Sequence, residues 1–386
     1  MLFPERGVHA SWSFFLLVLL AAVISPVEIV VSVLLAAVLH ILKKGGVITA
    51  SEGNLAAYST VWLLEAAAYC AVNCYALISG YVGYSDRPKP LRLARCIELW
   101  LQVVFYSVII TTVYCIAGVG SVGVSNFADA FLPVTSKQYW YFTAYIGMFF
   151  FIPLLNALVR RLNRRALVSL CIMLIAVFSL YDTFASFWKK DPLALVGGHS
   201  PLWLGVLYIF GAAMKKLRVP ESMSSKKALL IYASAAVFTA LFKITGDRLL
   251  RFVPGSLFVR DTSPTVLLCA AALLVAFARF KPGRKLTEFA VLFAPAAFGV
   301  YLLHVSPLVF EHVIGNRFAF IGRLPFPLIP FAVLASAGVI LAVGLAADKV
   351  RILLFKALGV PKLCRKAENS IRRLWMHVVD AATNRE

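Results

Sequence analysis

Apolar residues in this chain gather into long unbroken runs, and charged residues fall between them. The runs cover about 11–42, 60–84, 96–117, 139–158, 166–181, 201–214, 228–245, 264–280, 289–310 and 325–347. A helix of about 20 residues crosses the roughly 30 Å of bilayer hydrocarbon. Continuous runs, rather than period-two alternation, predict helices and disfavour a transmembrane β-barrel. The pattern predicts an all-α polytopic membrane protein of about ten transmembrane helices, whose core is the bundle itself. The first run is too long for one straight helix and too short for two. Ser25-Pro26 predicts a kink there, or a half-buried segment leading into the true span. Three regions follow: an N-terminal segment over 1–26, a transmembrane domain over 27–350 and a basic tail over 351–386. The tail contains a possible amphipathic basic helix over Lys362–Val379, suited to an anionic inner leaflet.

Charge orients the bundle. The segments around 87–95, 160–165, 215–227 and 279–285, together with the tail from Asp348, carry 26 Lys and Arg, against ten in the alternate segments. By the positive-inside rule both termini are cytoplasmic, which fits an even span count. Composition agrees: 61% hydrophobic and 15% charged residues with a mean hydropathy of +0.85 exclude an ordinary soluble globule. The net charge of +20 is then a matter of topology, and no nucleic-acid partner is expected. Most of the seven cysteines fall within apolar runs and none forms a CxxC pair, so neither disulfides nor a metal is expected. No cleavable signal is apparent, because only Arg6 precedes the first apolar run.

Few polar residues interrupt the runs, so each can be weighed. An ionisable side chain at bilayer depth costs about 2.5–3.5 kcal/mol, which a site or a buried partner offsets. His40 closes the first run and His304 lies in the ninth, within GVYLLHVSPL. Histidine suits proton transfer near neutral pH, and two such residues among only six are the leading candidates for chemistry. Asn73, Ser79, Glu98 and Gln102 are expected to be structural polar residues of the bundle, hydrogen-bonding between helices. Gln138-Tyr139-Trp140-Tyr141 opens the fourth run, either as an interfacial aromatic belt or as a binding platform.

Five stretches carry a resemblance: His40 closing run one, NCYALISGY in run two, RCIELWLQVVFYS entering run three, YWYFTAYIGMFFFIPLLN in run four and FGVYLLHVSPLVFE in run nine. In that order they resemble the acyltransferase 3 family, over roughly 27–350. The resemblance implies a membrane-bound acyltransferase of the bacterial cytoplasmic membrane. It would move an acyl group, typically acetyl, from acyl-CoA to a hydroxyl of a cell-surface polysaccharide or lipid-linked sugar. Acetyl-CoA or another acyl-CoA is the implied co-substrate, with no bound cofactor; membrane lipids are the other partners. Carried over by position, His40 matches the catalytic histidine that takes the acceptor proton, with His304 as second candidate, positioning the acceptor. Arg87, Arg92 and Arg95 are candidates for the CoA phosphates, or else topology anchors. Tyr139, Trp140 and Tyr145 are candidates for the acceptor wall, since aromatic faces bury the C–H patches of sugars. The chain departs from the family where an arginine is expected ten or eleven residues before the histidine: Ile29 and Val30 stand there. Two other readings stay open, a non-enzymatic exporter of lipid-linked sugars and an inactive relative. Against the exporter, no inverted repeat of hydropathy is visible.

Overall fold

The computed structural model describes residues 26–120, 122–250, 253–280 and 282–383. Among them there is no β-strand. The long helices are α1 (Pro26–Leu42), α2 (Leu55–Gly83), α3 (Leu93–Ala117), α4 (Trp140–Phe149), α5 (Ile152–Arg161) and α6 (Arg164–Trp188). They continue with α7 (Pro201–Lys216), α8 (Ser225–Arg248), α9 (Pro264–Arg279), α10 (Arg284–Val305), α11 (Phe326–Ala357) and α12 (Val360–Thr383). The kink expected at Ser25-Pro26, and the segment before it, lie outside the described residues apart from Pro26 itself.

Each apolar run from the second to the tenth coincides with one helix or, for the fourth, with the pair α4–α5, bent by 57°. Six helices (α2, α3, α6, α8, α10 and α11) are long and apolar enough to cross a membrane, and the bent pair makes a seventh. The described parts of α1, α7 and α9 are 17, 16 and 16 residues long, short of a full crossing. The periphery is apolar: Ile172 and Met173 of α6, Leu230 and Leu241 of α8, and Phe331 and Val343 of α11 are all exposed. Such a surface is what lipid covers.

Two packing contacts position the interior. The second half of α2 crosses α7 with backbone against backbone. A Cβ at Gly80 would overlap the Tyr208 carbonyl, and one at Gly211 would overlap that of Leu77. Small residues permit this approach where helices gain nothing from hydrophobic exclusion against lipid. Helix α1 packs on α2, α10 and α11, with Val33 against Ala297, Val300 and Leu345, and with Ala37 and Ile41 among Val61, Val333 and Ala337. The first apolar run thus supplies a helix packed between α2, α10 and α11.

The bundle has two distinct ends. At one, the Lys215 ammonium donates to the Tyr84 carbonyl and α12 lies against the start of α3; this is the tail end. At the other, the amides of Asn316 and Phe318 donate to the carbonyls of Lys44 and Gly45, and Arg248 donates to the Glu52 carbonyl; this is the far end. Helix α11 runs to Ala357, so Asp348 and Arg351, which the charge count grouped with the tail, are buried within it.

Candidate functional site

The last turn of α1 brings His40 toward α10, and the last turn of α10 brings His304 toward α1. Their rings meet with Nδ1 of His40 2.9 Å from Nε2 of His304. The other nitrogen of His304, Nδ1, is 2.6 Å from the Val300 carbonyl one turn earlier in its own helix. A carbonyl only accepts, so His304 Nδ1 carries the proton. In a neutral ring, Nε2 then holds a lone pair and accepts from Nδ1–H of His40. That leaves Nε2 of His40 with the free lone pair. The backbone of α10 thereby selects which nitrogen of His40 can act as a base, two hydrogen bonds away. Phe310 stands edge-on to His40 with ring centroids 5.1 Å apart, and Lys44 beyond it pairs with Glu311 at 2.5 Å.

Toward the tail end, aromatic rings continue from the histidines. Tyr301 lies 6.4 Å from His304, Tyr141 lies 6.2 Å from Tyr301, and Tyr145 lies 6.3 Å from Tyr141. Tyr75 joins at 5.9 Å from Tyr141. The buried hydroxyls of Tyr75 and Tyr301 have no hydrogen-bond partner among the described residues, an arrangement costly in a finished core and useful beside a polar ligand. Tyr145 lies within electrostatic reach of Arg95, which pairs with Glu98 at 3.4 Å. Arg87 and Arg92 are exposed at the same end.

Toward the far end lie Lys43, Glu65 and Asp261, with Lys43 within electrostatic reach of His40 and of both carboxyls. Asp261, in the segment joining α8 and α9, is 3.2 Å from His199 Nε2, and the His199 ring stacks on Trp140 at 3.9 Å. Burial pushes the Asp261 carboxyl above its ordinary value, and the His199 ring pulls it back.

The structure therefore separates the three aromatic candidates. Trp140 stacks at the far end beside His199, whereas Tyr145 sits deeper, beside Arg95. Tyr139 is fully buried among Val103, Tyr106, Phe142 and Leu302, one helical position and so about 100° away from Trp140. Of the four polar residues expected to bond between helices, Asn73 and Gln102 reach other segments, while Ser79 bonds within its own helix and Glu98 pairs with Arg95 one turn earlier. Asn73 donates to the Asp261 carbonyl and accepts from the Trp203 indole; Ser79 donates to the Tyr75 carbonyl; Gln102 donates to Asp348.

Asp348 is the site's neighbour that reading the chain missed. Its carboxylate accepts from Gln102 at 3.0 Å, from the Tyr106 hydroxyl at 2.8 Å, and from Nε and Nη2 of Arg351 at 3.0 and 2.6 Å. It lies against Gly299, where any Cβ would overlap the carboxylate. That contact fixes α11 on α10 five residues before His304. The visible signal was an Asp-x-x-Arg spacing directly after the last apolar run.

The ordered pair of histidines, one from each end of the chain, sits within a stretch that matches a known profile. An acyltransferase domain family, the acyltransferase 3 family, matches residues 30–347. The chain belongs to this family. No curated protein and no solved structure gives a match. As a member of the family the chain is a membrane acyltransferase, and both histidines lie within the matched region. Among the described residues no group of three or more His, Cys, Asp or Glu could hold a metal ion.

Proposed function

We propose that the chain transfers an acyl group, acetyl in the simplest case, from acyl-CoA to a hydroxyl of a cell-surface polysaccharide or lipid-linked sugar. In this reading ten spans cross the bacterial cytoplasmic membrane with both termini in the cytoplasm. Acyl-CoA enters at the tail end, with Arg87, Arg92 and Arg95 meeting its phosphates. The acyl arm follows the tyrosines toward the histidines. The sugar enters from the far end past Trp140 and His199, where an aromatic face suits its C–H patches.

Catalysis then needs one proton transfer. The acceptor hydroxyl gives its proton to Nε2 of His40 as its oxygen attacks the thioester carbon. The tetrahedral intermediate collapses with cleavage of the C–S bond. The imidazolium returns the proton to the departing CoA sulfur, so ester and free thiol leave and the enzyme is regenerated. His304 positions His40 and delocalises no charge of its own in the neutral state; once His40 is protonated, its Nδ1–H donates a charge-assisted bond to His304 Nε2.

The observation that carries this reading is the Val300–His304–His40 chain of hydrogen bonds, which presents an unprotonated Nε2. Radiolabelled acetyl-CoA supplied to the purified protein with a membrane glycan fraction tests it. Transfer of label that disappears in His40→Ala supports it; label transfer that survives the substitution removes His40 from the mechanism. A second reading, a relative that binds acyl-CoA without turnover, draws on Ile29 and Val30 at the positions where the family has its arginine. Stoichiometric retention of acetyl-CoA with no release of free CoA would favour it.

A further inference from the structure

Helix α12 differs from the membrane-length helices among the described residues. It follows α11 after a turn at Gly359, whose φ of +70° redirects the chain, and its 24 residues mix charge with apolar side chains. Six of the described helices before it, and the bent pair α4–α5, are long and apolar enough to cross a membrane; α12 is neither buried nor uniformly polar. On a helical wheel Leu363, Ile371, Leu374 and Trp375 share one side, and all four are exposed, at 59, 43, 65 and 66%. Lys362, Lys366 and Arg373 occupy another side. A third side holds Cys364, Glu368 and Arg372 against α3.

That third contact is specific. The Glu368 carboxylate accepts from the backbone N–H of Leu93 at 3.2 Å, and the Arg372 guanidinium donates to the Leu91 carbonyl at 2.7 Å and to Glu368 at 2.8 Å. Leu93 is the first residue of α3, where backbone N–H groups have no partner within the helix. Arg92, the residue before it, supplies no side-chain cap. Glu368 is thus the cap of α3, delivered from the other end of the chain, and its negative charge suits the positive end of that helix.

We propose that α12 lies in the headgroup layer of the membrane, with its apolar side in the acyl-chain boundary and its lysines and arginine on anionic phospholipid, and that it thereby holds the start of α3. An anionic bilayer is the occupant because the apolar and basic sides adjoin. The helix also issues directly from α11, the longest of the described membrane-length helices. Lipid charge then sets how firmly the segment bearing Arg92 and Arg95 is ordered. The consequence for acyl-CoA affinity rests on the assignment of those arginines to the CoA phosphates; the membrane docking does not.

The test uses the full chain in nanodiscs of phosphatidylcholine alone or of phosphatidylcholine with phosphatidylglycerol. Amide hydrogen exchange is followed in 361–376 and in 91–96. Docking predicts slower exchange of both segments in the anionic discs. The triple variant Lys362→Glu, Lys366→Glu, Arg373→Glu should remove that difference while exchange in α2 and α11 stays unchanged. Glu368→Ala should release 91–96 but leave 361–376 protected. Equal exchange in the two bilayers, or protection that scales with protein concentration and so marks a second copy, overturns the proposal. In the same discs the KM for acetyl-CoA should be lower with phosphatidylglycerol and kcat unchanged. A lipid-dependent exchange pattern with no change in KM would retain docking and overturn its link to acyl-CoA. Absence of acyl transfer altogether would count against the proposed activity and leave the exchange result standing.

Discussion

Two buried polar clusters flank α10, and they are built on opposite plans. Around Asp348, four donor contacts reach one carboxylate, and the group is saturated. Around half-buried His40, a single chain of two hydrogen bonds ends on a nitrogen that has no partner among the described residues. A saturated cluster has nothing left to offer a substrate, and its hydrogen bonds hold α3 to α11 while the carboxylate packs on Gly299 of α10. An unsaturated one is costly to bury and is retained where a ligand completes it. The same helix presents both, Gly299 receiving the carboxylate and His304 receiving the imidazole. Shape and reactivity are thus kept in adjacent but separate residues.

The sharpest way to break this comparison is His40→Ala. It should lower acetyl transfer by about 10²–10⁴-fold, the usual contribution of a positioned base, with unchanged expression and thermal unfolding in detergent. Asp348→Ala should do the reverse. Removing one partner of a buried ion pair costs about 3–5 kcal/mol, so the unfolding temperature should drop sharply. Replacing Asp348 and Arg351 together by leucine should recover most of that loss, and failure to recover would assign the pair a role beyond holding the bundle.

Smaller effects sharpen the comparison. His304→Gln retains an acceptor for His40 Nδ1–H, so transfer should fall about 10–100-fold, and His304→Leu should fall further. Equal losses for the two would mean that the hydrogen bond to His40 is not what His304 supplies. Trp140→Ala should raise the KM for the sugar about 2–10-fold at constant kcat, matching the 0.5–1.5 kcal/mol of an aromatic contact. The weakest effect belongs to the Lys44–Glu311 pair beside Phe310. Lys44 holds the exposed Glu311 carboxyl below its ordinary value. The pair therefore contributes stability above the ordinary carboxylate pKa and loses it as pH falls through the depressed one. Hydrogen exchange across 310–318, corrected for intrinsic rates, should accelerate only at that acidic end, and Glu311→Gln should abolish the pH dependence.

Much of this was legible along the chain. The apolar runs located the described helices because each run must bury or lipidate a continuous surface, but they missed some ends, stopping at 347 where α11 continues to Ala357 and at 181 where α6 continues to Trp188. The two histidines stood out because ionisable residues inside such runs are few. Other features were hidden by distance. Nothing near position 368 announces that its carboxylate caps a helix beginning at 93, and nothing near 261 announces a partner at 199. The spacing of Tyr139, Trp140 and Tyr145 suggested one wall, yet helical rotation buries the first, exposes the second to His199 and carries the third toward Arg95.

The sequence by itself determined that the chain is a helical membrane protein, which family it resembles, and which two histidines to watch. Those depend on local hydropathy and on the order of short stretches, both written in one dimension. Only the tertiary structure decided that His40 and His304, 264 positions apart, touch at 2.9 Å, and that the Val300 carbonyl fixes their protons. It also decided that Asp348 and Arg351 belong to the interior rather than the tail. A hydrogen bond between distant residues depends on how helices cross. Crossing is set by small residues such as Gly80, Gly211 and Gly299, whose meaning appears only when the neighbouring helix is in place.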